Sequence, residues 1–264
     1  MLISESTVNQ RWLFGRDSYR PPAEPIATSE YEVAAIPSNQ EARRFVLDHH
    51  YSGTYPAARF RFGLYHRAKL AGVAVFSHPV SDLTLTNVFR GAPAVAGVEL
   101  GRFILLDEVP GNGETWFLAR CFEHLRREGI VGVVSFSDPT ARTNAHGETV
   151  FAGHIGTIYQ AANGRYLGRS AARSLHVLPD GQVFSSRALQ KIRAGSQGWR
   201  YAADILERHG AAAINYDHRV EWLERWLPKI THRMRHFGNH KYAWPLIRRH
   251  RAIVGGPYPK AGQK

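Results

Sequence analysis

The stretch Gly97–Pro139, GVELGRFILLDEVPGNGETWFLARCFEHLRREGIVGVVSFSDP, decides the fold class. It opens on an apolar run, Gly97–Leu106, that reads as a strand, and passes through Asp107–Pro110 into Gly111-Asn112-Gly113. From Glu114 to Glu128 the period changes. Leu118, Cys121, Phe122 and Leu125 fall on one stripe, the spacing of a helix with a single buried side. Cys121 on that stripe is read as a core residue. Gly129 supplies the left-handed conformation that ends a helix, and Ile130–Phe136 is a continuous apolar run suited to a central strand covered on both faces. Strand, helix and covered strand in succession predict an α/β domain.

Upstream, Tyr31–Ile36 reads as a strand. Ser38-Asn39-Gln40-Glu41 is a capping box, in which Ser and the Glu three residues on satisfy each other's orphan amides. The helix it starts carries Ala42, Phe45 and Val46 on one side and ends near Asp48. After the polar loop His49–Pro56, Phe60–His66 and Leu70–Ser77 alternate as an antiparallel hairpin. Downstream, Ala171–Leu178 and Gln182–Phe184 form a hairpin about Pro179-Asp180-Gly181, and short helices are expected around 187–194, 199–209 and 218–227. Helices and strands alternate without a strict βαβ rhythm, so the expectation is a mixed central sheet flanked by helices. Residues 1–30, with Pro21, Pro22 and Pro25, read as an extended arm, 31–184 as the core, and 185–264 as a basic helical extension.

Charge is uneven along the chain. The 264 residues carry Lys+Arg 34 against Asp+Glu 22, a formal net charge of +12. Residues 185–264 hold 16 of those cations but only 5 of the anions, interleaved with Trp199, Tyr201, Tyr216, Trp222, Trp226, Phe237, Tyr242 and Trp244. Basic side chains neutralise phosphates and aromatic faces stack on unpaired bases, so a nucleic-acid partner is expected. A single cysteine excludes a disulfide framework and a cysteine-based zinc finger. No apolar run approaches the roughly 18 residues of a membrane span, and MLISESTVNQ lacks the pattern of a signal peptide. A soluble cytoplasmic protein is therefore expected.

Three places could carry chemistry. A strand that turns through glycines into a helix aims backbone amides and the positive helix end at an anion, which makes Gly111, Asn112 and Gly113, with Phe103 and Ile104 on the strand, candidate donor-binding positions. Ser137-Asp138-Pro139 lies where a buried strand emerges, and Asp138 reads equally as a general base, a metal ligand or a turn residue. His50-Tyr51 and Tyr159 supply imidazole and phenol groups for proton transfer or metal ligation. No H-E-x-x-H, G-x-S-x-G, Walker loop or dinucleotide fingerprint is present, which removes the standard metalloprotease, serine hydrolase and nucleotide-binding readings.

His50-Tyr51-Ser52-Gly53, Leu100-Gly101-Arg102-Phe103, Gly111-Asn112-Gly113-Glu114-Thr115-Trp116, Ser135-Phe136-Ser137-Asp138-Pro139, His154–Ala161 and Gly238-Asn239-His240-Lys241-Tyr242 together resemble the Mom family of phage DNA-modification proteins. The resemblance spans roughly residues 40–245. It implies a divergent GNAT acyltransferase fold and carbamoylmethylation of adenine at its exocyclic amine in duplex DNA, which shields phage DNA from host restriction. It makes His50, Tyr51, Arg102, Asp138 and Tyr159 the catalytic candidates, and it associates the chain with an acyl-CoA-type donor and with iron, for which His50, Tyr51 and Asp138 are the candidate ligands. CoA-binding GNAT enzymes usually carry Gln or Arg three residues before the first glycine of the turn, where this chain has Glu108 beside Asp107; an aminoacyl or other acyl donor stays open. Arg200, Arg233, Arg235, His240, Lys241 and Tyr242 are the candidate DNA contacts, with duplex DNA and a small donor molecule as partners. Two other readings stand beside this one: a GNAT-type acyl or aminoacyl transferase acting on a small molecule, tRNA or protein, and a non-catalytic nucleic-acid-binding protein.

Overall fold

The computed structural model describes residues 9–13, 16–20 and 24–260. The chain divides into two compact units. Unit one comprises the residues up to Asp138, Ile155–Arg169 and those from His240 onward; unit two comprises Pro139–His154 and Ser170–Asn239. The boundary expected at 184/185 therefore falls inside unit two, and the last residues return to unit one.

Unit one begins with a hairpin of β1 (Asn9–Leu13) and β2 (Arg16–Arg20). The rest of the expected N-terminal arm up to residue 23 lies outside the described residues. Then come β3 (Tyr31–Ala35), α1 (Asn39–His49), β4 (Ala58–His66), β5 (Lys69–Ser77), α2 (Leu83–Thr86), β6 (Gly97–Leu105), α3 (Gly113–Arg127) and β7 (Gly132–Ser137). Ser38 caps α1 by accepting the Glu41 amide at 3.2 Å, the first half of the expected capping box. Unit two contributes β8 (Arg142–Thr143) and β9 (Thr149–Phe151) before the chain re-enters unit one as α4 (Thr157–Ala161) and β10 (Arg165–Arg169). The remainder of unit two is β11 (Arg173–Val177), β12 (Val183–Phe184), α5 (Ser186–Ala194), α6 (Trp199–Arg208), α7 (Arg219–Ile230) and β13 (His232–His236), and β14 (His240–Pro245) closes unit one.

The seven-stranded sheet of unit one has the order β10-β14-β7-β6-β5-β4-β3. Every pairing in it is antiparallel except β6 with β7, the two strands joined by α3. Helices cover both faces. On one, Phe117, Leu118, Cys121 and Leu125 of α3 pack on Phe76, Val98, Leu100, Val133, Tyr242 and Trp244. On the other, Ala42, Phe45 and Val46 of α1 meet Val73, Val75 and Ile104, while Leu85 and Phe89 cover Val134 and Ala243. This is the mixed sheet flanked by helices that the sequence predicts.

The expected helical extension is correct for α5, α6 and α7, whose apolar stripes close a second core of Leu189, Ile192, Leu206, Leu223 and Leu227 with Phe184. It is wrong for the residues that follow, which form β13 in the three-stranded sheet β12-β11-β13 and β14 between β10 and β7 in the large one. The physical reason is alternation: His240, Tyr242 and Trp244 point to the α3 face, and burying that face outweighs the basic residues between them.

Candidate active site

The parallel ladder between β6 and β7 runs from Gly97–Gly132 to Leu100–Ser135 and stops there, although β6 continues to Leu105 and β7 to Ser137. Parallel strands that part leave a crevice at their C-terminal ends, where open α/β sheets hold ligands. At the same point β6 carries a bulge. Val75 pairs with Arg102, but Phe76 pairs with Leu100, so Gly101 is the extra residue. A bulge reverses side-chain parity. Val98, Leu100, Phe103 and Leu105 face α3 while Ile104 faces α1, which sets Glu99 and Arg102 on one side of the strand. Gly101 lies close to both neighbours: a Cβ there would sit 3.2 Å from Ser77 Oγ and 3.3 Å from Pro56, tighter than ordinary contact.

Arg102, the first residue past the bulge, organises the crevice. Its Nε donates to Thr54 O at 2.8 Å, one Nη to Thr54 Oγ1 and the other to Gly101 O. It thereby pins the loop that follows α1 to β6. Burial pulls its pKa below the ordinary arginine value, and Tyr51, Glu99 and Tyr159 act in the opposite direction. Those three side chains are its electrostatic neighbours.

His50 caps the C-terminus of α1, and its ring lies 4.2 Å from that of Tyr51. His50 Nδ1 accepts the Ser52 amide at 3.1 Å and is 2.8 Å from Ser52 Oγ, so the proton of the neutral ring sits on Nε2. Tyr51 is 38% exposed. Tyr159, on α4, shares a hydrogen bond with Ser135, whose Oγ donates to Leu100 O at 2.9 Å, the last pair of the ladder. Its ring packs edge-on against Tyr242 and Trp244, each 5.5 Å away. Burial raises its pKa, with smaller opposing effects from Ser135 and Arg102, so the phenol is protonated at neutral pH. Asp138 follows β7 directly, three residues beyond Ser135. The crevice thus groups Tyr51, Arg102 and Tyr159 electrostatically, with the His50 ring tilted against Tyr51 and Asp138 at the adjoining strand end.

Sequence reasoning missed Glu99, Thr54 and Ser135. Glu99 sits half-buried on β6, and burial raises its pKa against the lowering effect of Arg102 and of Lys241. The available signal was a carboxylate three residues before an arginine in a strand of mainly apolar residues, which a packed sheet admits only with compensating charge.

Several expected roles do not fit where the structure places the residues. Phe103 packs against Phe117 at 5.5 Å and Ile104 is buried beneath α1, so these side chains belong to the two cores rather than to a donor pocket. At the glycine turn, Asn112 Oδ1 accepts the Ile26 amide at 2.7 Å, and a Cβ on Gly113 would come 2.5 Å from Val109. Both residues are explained by packing, and Asp107, Glu108 and the buried Glu114 place three carboxylates around a turn proposed to hold an anion. Among the described residues no group of three or more His, Cys, Asp or Glu side chains could hold a metal ion, and His50 Nδ1 is engaged by Ser52. No observation of the structure therefore supports the iron expected at His50, Tyr51 and Asp138.

The candidate DNA contacts divide likewise. His240 is buried with Nδ1 2.9 Å from the Tyr166 hydroxyl. Tyr242 is wholly buried; its hydroxyl donates to Ile155 O and accepts from Gln160 at 3.1 Å, and burial pushes its pKa to about 12. Neither can meet a nucleic acid at the surface. Lys241 turns inward to donate to Thr84 O at 3.2 Å. Arg200 is held by Asp204 at 3.1 Å and Glu207 at 3.0 Å, which cancel its charge locally. Arg233 and Arg235, on β13, are exposed, and the Arg235 guanidinium lies 5.9 Å from the Phe237 ring. No helix among the described residues is long and apolar enough to cross a membrane.

Solved structures similar to this chain include a tandem GNAT protein from the clavulanic acid biosynthesis pathway, determined without AcCoA, at 13% identity over 57% of this chain and 49% of that one, with a TM-score of 0.35. The match thus spans about half of the tandem protein's length. An N-acetyltransferase from Staphylococcus aureus Mu50 is similar at 11% identity over 82% and 99%, TM-score 0.36. A Bacillus subtilis acetyltransferase in complex with CoA is similar at 10% identity over 83% and 99%, TM-score 0.33. No curated protein sequence matches the chain. The family match is the broad one: it covers residues 30–251, from β3 to beyond β14 and through every group of the crevice, and by it the chain belongs to the Mom protein family.

Proposed function

We propose that the chain is a DNA-modifying transferase that places a carbamoylmethyl group on the exocyclic amine of adenine in duplex DNA, and so protects phage DNA from restriction in the host cytoplasm. The observation that carries this reading is the grouping of Tyr51, Arg102 and Tyr159 around the parted ends of β6 and β7, beside Asp138, in a chain of the Mom protein family.

Adenine's amine is a weak nucleophile and is stacked and paired inside a duplex, so the base must be extruded at a cost of about a few kcal/mol. Tyr51, exposed on the loop that Arg102 anchors, offers a ring on which the extruded base stacks. The amine nitrogen attacks the methylene carbon of the carbamoylmethyl group, the nitrogen–carbon bond forms as the bond from that carbon to the donor's leaving atom breaks, and the amine proton passes to the Asp138 carboxylate. Tyr159, protonated at neutral pH, donates to the departing group. Arg233 and Arg235 supply phosphate contacts. Direct transfer of a carbamoylmethyl group requires a small donor whose leaving group sits on the methylene carbon, whereas an acyl-CoA or aminoacyl donor delivers an acyl group and leaves an amide on the adenine nitrogen; the carboxylates around Gly111-Asn112-Gly113 disfavour that turn as a pyrophosphate seat.

Nucleoside mass spectrometry of DNA from cells expressing the protein tests this directly. A modified adenine is expected, with the mass increment of the transferred group, and is expected to vanish in Asp138→Ala. Unmodified adenine in cells holding abundant folded protein would overturn the reading.

A further inference from the structure

Three segments of unit one meet around the bulge in β6. Ser77, the last residue of β5, pairs with Glu99 and lies beside Gly101, as does Pro56 from the loop held by Arg102. From Ser77 the chain runs His78-Pro79-Val80-Ser81-Asp82 into α2. Pro79 is buried, whereas Val80 is 96% exposed and Leu83 64%. Val80 lies three positions after Ser77, a span of at most roughly 11 Å. The far side is tied as well. Lys241 donates to Thr84 O at 3.2 Å, and its charge acts on Glu99. A bare aliphatic tip is thereby fixed at both ends beside the crevice.

An exposed valine by itself is ordinary. This one belongs to a loop with a cationic flank. Phe89 packs on His250 with ring centroids 5.7 Å apart, and a Cβ on Gly91 would lie 2.7 Å from the Arg249 guanidinium. The same cluster joins Leu85, Phe89 and Ile253. Arg90, Arg248, Arg249 and Arg251 are exposed on these packed segments, and among the described residues none of the four stands in an ion pair. Apolar tip and unneutralised arginines together match a polyanion that also offers apolar faces, which describes stacked bases between phosphates.

We infer, on the reading that the substrate is duplex DNA, that the tip formed by Val80 and Leu83 is a wedge. It enters the base stack and fills the gap left by the extruded base, while Arg90, Arg248 and Arg249 hold the flanking phosphates. Proteins that open or kink a duplex insert apolar side chains between base steps in this way. Burying the tip against bases removes its aliphatic surface from water and offsets part of the unstacking. A base that has lost its partner is extruded at much lower cost and needs no wedge, and this separates a wedge from a general DNA contact.

The test uses the full chain and the double variant Val80→Ser, Leu83→Ser, with Val254→Ser, another exposed valine at 87%, as a control. The probes are a duplex containing 2-aminopurine, which brightens on unstacking, and duplexes whose adenines are paired or placed opposite abasic sites. The double variant is expected to bind the paired duplex within about threefold of wild type, to lose the rise in emission, and to modify paired adenine at least tenfold more slowly. Adenine opposite an abasic site should be modified at the wild-type rate, and Val254→Ser should change nothing. Retained emission, or equal losses on both duplexes, would overturn the wedge. If the wild type brightens the probe but modifies no adenine, the proposed reaction fails while the wedge stands. If it modifies adenine and the double variant is indistinguishable from it, the wedge alone fails.

Discussion

Arg102 in unit one and Arg200 in unit two are arginines in opposite circumstances. Arg200 lies on the surface of α6 with two carboxylates within 3.1 Å, so its charge is cancelled by its own helix. Arg102 is half-buried and gives its donors to carbonyl and hydroxyl oxygens of Thr54 and Gly101, none of which carries charge. An exposed ion pair contributes about 0–1 kcal/mol and places few demands on its surroundings. A charge kept in an interior without a contacting carboxylate must be supported by the groups around it, and such arrangements concentrate at functional sites. By this contrast Arg102 ties two segments of unit one together, whereas Arg200 belongs to a solvated helix.

The contrast breaks most readily at Arg102. Arg102→Ala is expected to lower DNA modification by at least about 100-fold and stability by about 1–3 kcal/mol, because it frees the loop bearing Tyr51 and leaves three acceptors without a donor. Arg102→Lys is the sharper probe. It keeps the charge but cannot hold both Thr54 oxygens with a planar fork, so activity should still fall at least tenfold with thermal stability largely kept. Wild-type activity in Arg102→Lys would show that only charge matters there.

Tyr159→Phe comes next. The ring contacts with Tyr242 and Trp244 survive and only the hydroxyl shared with Ser135 is lost. A general acid contributes about 10²–10⁴-fold, so single-turnover rates should drop by at least about 100-fold while the melting temperature moves little. A rate within a few-fold of wild type would remove Tyr159 from proton transfer.

On unit two the comparison is among arginines. Titrating duplex DNA binding against salt should show the slope of log K reduced by about 1 for each of Arg233→Ala and Arg235→Ala, and unchanged for Arg200→Ala. A slope that responds to Arg200 would mean that its pairing with Asp204 and Glu207 is exchanged for phosphate on binding.

Most of the fold was legible because it rests on local rules. The Ser38 cap, the stripe through Leu118, Cys121, Phe122 and Leu125, and the glycine that ends α3 each announce their element within a few residues. β13 and β14 were not legible, since β13 is spelled almost wholly in His and Arg and β14 opens on His-Lys, which read as a charged extension until pairing with β11 and β7 shows which side is buried. The site was half legible. Residue types pointed to Tyr51, Asp138 and Tyr159 and the family resemblance added Arg102, but the bulge at Gly101 did not show in the pattern. Strict alternation sets Glu99 and Arg102 on opposite faces; one extra residue sets them together, and only register reveals it.

Glu99 gives the smallest effect and the finest test of the comparison. Burial raises its pKa more than Arg102 and Lys241 lower it, so folding favours the protonated form of this carboxyl. For an acid shifted upward, the ionised group opposes folding at any pH above its folded pKa, and that opposition fades as pH falls through the folded pKa toward the ordinary glutamate range. Glu99→Gln removes the charge and keeps the shape. It should therefore be as stable as wild type or slightly more so at pH 7, by no more than about 1 kcal/mol, with the difference shrinking on acidification below the folded pKa. The opposite sign, a variant less stable at pH 7 that recovers in acid, would mean that attraction to Arg102 and Lys241 outweighs burial. Glu99 would then be a partner that neutralises the crevice, and Arg102 would resemble Arg200 after all.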